Sequence, residues 1–85
     1  MYSVEWDAKA IKELRTLEKK ERKKILERVA KLGTTPRPPG CKKLHDKESA
    51  YRIRVGDYRV IYQIRDAHLL VLVVRVGNRS AVYRR

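Results

Sequence analysis

Residues 51–64 read YRIRVGDYRVIYQI, from Tyr51 to Ile64. Apolar and aromatic residues alternate with polar ones on both sides of Gly56-Asp57, the period of a half-buried strand. Two such runs joined by two turn-forming residues predict a tight hairpin with strands over Tyr51 to Val55 and Tyr58 to Ile64. Alternation sends Tyr51, Ile53 and Val55 to one face and Arg52 and Arg54 to the other. A two-residue turn then sets Val55 opposite Tyr58, Arg54 opposite Arg59 and Ile53 opposite Val60. Like charges directly opposite each other on a sheet cost roughly 0.2–1 kcal/mol. No acid of either strand stands on that face to offset them. Clustered arginine on a sheet face therefore points to a ligand that supplies the negative charge, most simply phosphate. The competing reading is a solvated face in a protein that is basic throughout.

The hairpin continues into a third run. Leu69 to Val76 is rich in β-branched residues and follows a turn at Asp66-Ala67, so the three strands form an antiparallel meander. In this strand Leu70, Leu72, Val74 and Val76 alternate with Leu69, Val71, Val73 and Arg75, so both faces are apolar. Two helices are expected to cover only one of them, which leaves the other for a partner chain. Gly77-Asn78 marks a turn. It is expected to bring Arg79 and Tyr83 out at the end of the strand, toward Arg52, Arg54 and Arg59. A tyrosine among cations can stack on a base and gives up its proton more readily.

Toward the N-terminus, Tyr2, Val4 and Trp6 alternate with Ser3 and Glu5 as a short strand. Asp7 is a helix N-cap ahead of Ala8, Ile11, Leu14 and Leu17 at helical spacing. A second helix is predicted from about Lys19 to Leu32, with Ile25, Leu26, Val29 and Leu32 as its apolar stripe. Gly33 is placed as its C-cap glycine. Thr34 to Gly40, TTPRPPG, can only be a loop. Cys41 to Leu44 is a short extended piece. The expected architecture is one α+β domain over residues 1–85. It has an N-terminal strand, a two-helix hairpin, then a three-stranded antiparallel meander, in one twisted sheet with helices on one face.

Composition narrows the function. Twenty-two Lys and Arg against ten Asp and Glu give a net charge of +12, which makes a polyanion the first partner to consider. All ten lysines lie between Lys9 and Lys47, while eight arginines and no lysine follow Ser49. Arginine presents a planar fork matched to phosphate oxygens, so the second half of the chain reads as the contact surface. A hydrophobic content of 42% argues against disorder. One cysteine, Cys41, excludes an intramolecular disulfide framework and a cysteine-based zinc site. The longest apolar run, Leu69 to Val74, is far short of the ~20 residues of a membrane helix. The opening MYSVEWDAKA lacks the pattern of a signal peptide, so a soluble cytoplasmic protein is expected.

YRIRVGDYRVIYQI (Tyr51 to Ile64), the hydrophobic strand after it and VGNRSAVYRR (Val76 to Arg85) together resemble RelE-type toxins. These belong to the RelE/ParE superfamily of bacterial and archaeal toxin–antitoxin pairs. The N-terminal strand, the lysine-rich helices, the proline loop and the KKL segment (Lys42 to Leu44) fit the same family. The resemblance implies a metal-independent endoribonuclease without cofactor. It implies cleavage of messenger RNA in the ribosomal A site and inactivation by a cognate antitoxin. Carried onto this chain, the catalytic positions are Arg54, Arg59, Arg79 and Tyr83, and the RNA-binding positions are Arg52, Lys42, Lys43 and Arg84. One departure matters. The family has lysines where this chain has Arg52 and Arg54, and a guanidinium does not readily release a proton. Arg52, Arg54 and Arg59 are therefore assigned to phosphate binding and transition-state stabilisation. Tyr83 is the candidate base or base-stacking residue, and Arg79 the candidate stabiliser or acid for the leaving group. His45 and His68 fall in loops and are read as non-catalytic. The alternatives are a ParE-like toxin that inhibits DNA gyrase through protein contact, and a non-catalytic RNA-binding module.

Overall fold

Why the chain folds as it does is visible in a computed structural model, which describes residues 1–44 and 49–78. His45, Arg79, Tyr83 and Arg84 lie outside the described residues. The elements are β1 (Ser3–Trp6), α1 (Ala8–Arg15), α2 (Lys19–Lys31), β2 (Lys42–Lys43), β3 (Ala50–Val55), β4 (Tyr58–Arg65) and β5 (Leu70–Asn78). The strands form one sheet in the order β1-β5-β4-β3-β2. The expected meander is β3-β4-β5, antiparallel throughout. To it are added β1, parallel to β5, and the short β2 edge, antiparallel to β3. The α+β class, the N-terminal strand, the two helices and the meander all match the sequence reading.

Local chemistry explains most of these boundaries. Asp7 caps α1, its Oδ2 accepting the Lys9 N–H at 3.1 Å. The helix stops at Arg15, with the Thr16 hydroxyl turned back onto the Glu13 carbonyl at 2.7 Å. The β3–β4 turn pairs Val55 with Tyr58 across Gly56-Asp57. Gly56 has φ +61°, and Asp57 is not among the positive-φ residues, which is the type II′ pattern with glycine in its first central position.

The core lies between the helices and one face of the sheet. Ala10 and Leu14 of α1 and Ile25 and Val29 of α2, with Leu32, pack against Ile53, Val55, Val60, Tyr62, Ile64, Val71, Val73 and Val76. α1 lies on β5 and α2 on β3. Three expectations change here. Leu26 is 46% exposed, because the buried stripe of α2 runs Ile25-Val29-Leu32 and Leu26 falls off it. Gly33 does not take a left-handed φ. Its value is space, since an added Cβ would stand 3.0 Å from the Tyr2 carbonyl oxygen, where the N-terminal segment hydrogen-bonds to Gly33. Gly77-Asn78 is not a turn but the end of β5, in register with Arg59 and Tyr58.

The alternation in β5 also breaks. Tyr62 pairs with Val73 but Ile61 with Arg75, so Val74 is an extra residue and the strand bulges there. This is why Val73 and Val76, three positions apart, are both buried.

The proline loop is fastened to the sheet by polar contacts. Tyr62 is fully buried and donates its hydroxyl to the Pro36 carbonyl at 2.8 Å. Burial holds its phenol protonated, with its ionisation moved well above the ordinary tyrosine range. Arg37 donates Nε to the Tyr51 hydroxyl at 3.1 Å and pairs with Asp66 at 3.0 Å. Tyr2 donates its hydroxyl to the same carboxylate. The hydrogen bonds from Arg37 and then from Tyr2 hold the Asp66 carboxyl below its usual range. A depressed carboxylate contributes stability above its unfolded pKa and loses it as pH falls through the folded value. Asp66→Asn should therefore melt below wild type at pH 7, with the gap beginning to narrow near the ordinary carboxylate value of about 4 and closing only below the depressed folded value, where Asp66 is neutral in both states. Thermal melts across pH check this; a constant gap would contradict the pairing.

Candidate active site

The helices occupy one face of the sheet, and the alternate residues of its strands point to the other. On β3 these are Ala50, Arg52 and Arg54, and on β4 they are Arg59, Ile61, Gln63 and Arg65. The register places Arg54 directly opposite Arg59, as the two-residue turn requires. Arg52 stands opposite Ile61 on one side and Lys42 on the other. Arg59 stands opposite Gly77 on its second side. The residue across from Arg59 on β5 is thus a glycine, which brings no side chain of its own.

Lys42, Arg52, Arg54 and Arg59 thus form a basic field at one end of the open face, across three adjacent strands. None of the residues in register with them is acidic. Arg54 is exposed, while Arg52 and Arg59 are half-buried. Beside them lies an apolar strip in which Ile61 is buried and Leu72 and Val74 are half-buried. Cations next to an apolar strip suit a nucleotide chain, with phosphate on guanidinium and base on hydrocarbon.

The structure does not bring every expected residue to this field. Lys43 is paired with Tyr51, which packs toward the helices, so it takes the opposite face from Lys42. Arg79, Tyr83 and Arg84 lie outside the described residues. The described chain ends at Asn78, opposite Tyr58 and next to the Gly77–Arg59 pair. His68 sits in the 3-10 turn at the other end of β4, roughly 20 Å of strand from Arg59 at ~3.3 Å per residue. Among the described residues, no three His, Cys, Asp or Glu side chains converge as metal ligands. Among these described residues no helix is long and apolar enough to cross a membrane.

Sequence reasoning missed Glu13. Its carboxylate accepts the Arg75 Nε at 3.0 Å and the Val76 N–H at 2.8 Å, at the bulge beside the basic field. The only signal was an acid on α1, which periodicity reads as solvent-facing.

Residues 4–83 match the family model described as the ParE toxin of the type II toxin–antitoxin system parDE. The toxin RelE of Mycobacterium tuberculosis is 36% identical over 84 residues, covering 98% of this chain and 87% of its own. The mRNA interferase toxin RelE of Escherichia coli K12 is 31% identical, covering 96% of this chain and 90% of its own. The fold is similar to the toxin in the crystal structure of the intact RelBE toxin–antitoxin complex of Escherichia coli. The TM-score is 0.81 at 29% identity, over 92% of this chain and 96% of that one.

Proposed function

The chain belongs to the RelE/ParE family and is a RelE-type toxin of a type II toxin–antitoxin system, and from that premise we propose that it is a ribosome-dependent, metal-independent endoribonuclease. Its substrate is messenger RNA in the A site. The observation that carries this reading is the Arg54–Arg59 pair, with Arg52 alongside, on the sheet face that the helices leave open. An inhibitor that works by protein contact has no evident need for opposed guanidinium groups. The relative named as an mRNA interferase supports the same choice.

The reaction follows from RNA chemistry. The 2′-oxygen attacks the adjacent phosphorus, the P–O5′ bond breaks, and the products carry a 2′,3′-cyclic phosphate and a free 5′-hydroxyl. Arg54 and Arg59 stabilise the charge that grows on the non-bridging oxygens, with Arg52 and Lys42 holding neighbouring phosphates. They do not take the 2′-hydroxyl proton, because guanidinium groups stay protonated. Tyr83, ionised, is assigned that proton, and Arg79 the stabilisation of the departing 5′-oxygen, which takes its own proton from solvent. Arg84 adds a phosphate contact. The protein acts in the cytoplasm and is held inactive by a cognate antitoxin, as the toxin–antitoxin complex of the similar structure suggests.

The test is to incubate purified protein with programmed ribosomes and map the RNA ends. Cuts at codon positions in the A site, ending in cyclic phosphate, are expected. Cutting should weaken steeply as salt rises, because phosphate contacts release counterions. The family model's ParE description favours a second reading, inhibition of DNA gyrase. Intact RNA with stalled gyrase would establish that reading instead, and intact RNA with salt-sensitive binding alone would mark a non-catalytic module.

A further inference from the structure

Glu13 does work on the sheet that no strand does. β1 ends at Trp6, opposite Val73, and the Asp7 N–H makes a further bond to the Val73 carbonyl at 2.8 Å. Beyond that point β5 has lost its β1 neighbour, immediately before the bulge at Val74. The two oxygens of Glu13 take over there. Oε1 accepts the Val76 N–H at 2.8 Å and Oε2 accepts the Arg75 Nε at 3.0 Å. The two side chains are 23% and 25% exposed, so this charge-assisted contact is partly withdrawn from water. On its other side the same stretch of β5 is paired with β4, Val76 with Val60 and Gly77 with Arg59.

We propose that Glu13 is a positioning residue for the phosphate-binding cluster, acting through Val76 and Gly77 on Arg59. The inference rests on the endoribonuclease reading above. Among the described residues, no strand flanks this bulged end on the side away from β4, so its pairing with β4 alone would let it peel. The carboxylate replaces that neighbour and fixes the β5 end against Arg59. The same carboxylate holds the Arg75 guanidinium against α1.

Full-length Glu13→Ala and Glu13→Gln variants test this in single-turnover cleavage on programmed ribosomes at varied ribosome concentration. Glutamine keeps an oxygen for the Val76 N–H. Glu13→Ala should lower the saturating rate about 10- to 100-fold while half-saturation moves less than about twofold, and Glu13→Gln should recover most of the rate. A folded Glu13→Ala protein with the wild-type saturating rate overturns the proposal. So does a loss confined to half-saturation, or one that Glu13→Gln fails to recover. Should Glu13→Ala not fold, Glu13→Asp keeps the charge and shortens its reach; a several-fold lower rate supports the proposal and a wild-type rate overturns it. Amide exchange at Val76 and Gly77 reads the clamp without any activity. It should speed up in Glu13→Ala and stay near wild type in Glu13→Gln, and unchanged exchange in Glu13→Ala overturns the proposal. If wild type cuts no RNA, the endoribonuclease reading fails by itself and the exchange measurement still decides the clamp.

Discussion

Arg59→Ala is expected to slow messenger-RNA cleavage on programmed ribosomes by about 10²- to 10³-fold, the usual cost of removing one preorganised donor to a developing oxyanion. Arg54→Ala should follow closely, because the two side chains stand opposite each other on neighbouring strands. The double variant should lose less than the product of the two, since both act on one phosphate. Stability should move the other way. Removing one of two opposed cations relieves repulsion of roughly 0.2–1 kcal/mol, so Arg54→Ala, at the exposed member of the pair, should melt at or slightly above wild type. Lost activity with retained or raised melting temperature is the signature of a binding site. Wild-type rates, or activity lost only in step with unfolding, would show a merely solvated basic face.

Tyr62→Ala should be the most destabilising single change considered, at about 3–5 kcal/mol, as for other buried aromatic truncations. Among the described residues Tyr62 is the largest fully buried side chain, and its hydroxyl anchors the proline loop through Pro36. A domain of this size holds only roughly 0.05–0.15 kcal/mol per residue, so the change removes much of its stability. Tyr62→Phe keeps the ring and leaves the Pro36 carbonyl unmatched, for a cost of about 1 kcal/mol. Urea titrations of both variants check the order. A midpoint for Tyr62→Ala close to wild type would mean that the loop and core are not coupled through this residue.

What the sequence disclosed follows from where its signals are local. Gly56-Asp57 allows one tight turn, and that turn sets Arg54 against Arg59, so the central pair of the site was readable from fourteen consecutive residues. The bulge at Val74 was not, because an unbroken run of valine and leucine gives no mark where alternation slips. With the slip unseen, Gly77 and Asn78 read as a turn, although the ladder to Arg59 and Tyr58 carries β5 through them. Lys42 and Lys43 read as one basic dipeptide until β2 sent them to opposite faces. Glu13 was illegible for a different reason. Its partners, Arg75 and Val76, lie more than sixty positions away, and only tertiary packing of α1 on β5 brings them together. The expected roles of Arg79, Tyr83 and Arg84 came from the family resemblance, and these three lie outside the described residues.

A charge-matched comparison separates a phosphate-binding site from a merely basic surface. Arg54→Ala with Arg59→Ala removes two positive charges from the open sheet face; Lys20→Ala with Lys24→Ala removes two from the exposed surface of α2. Saturating cleavage rates on programmed ribosomes are then measured for both double variants, each confirmed folded. The arginine pair should abolish cleavage while the lysine pair leaves the saturating rate within about threefold of wild type, since only the first touches transition-state charge. Equal losses from the two pairs would contradict it, and would reduce the sheet arginines to a share of the overall positive charge.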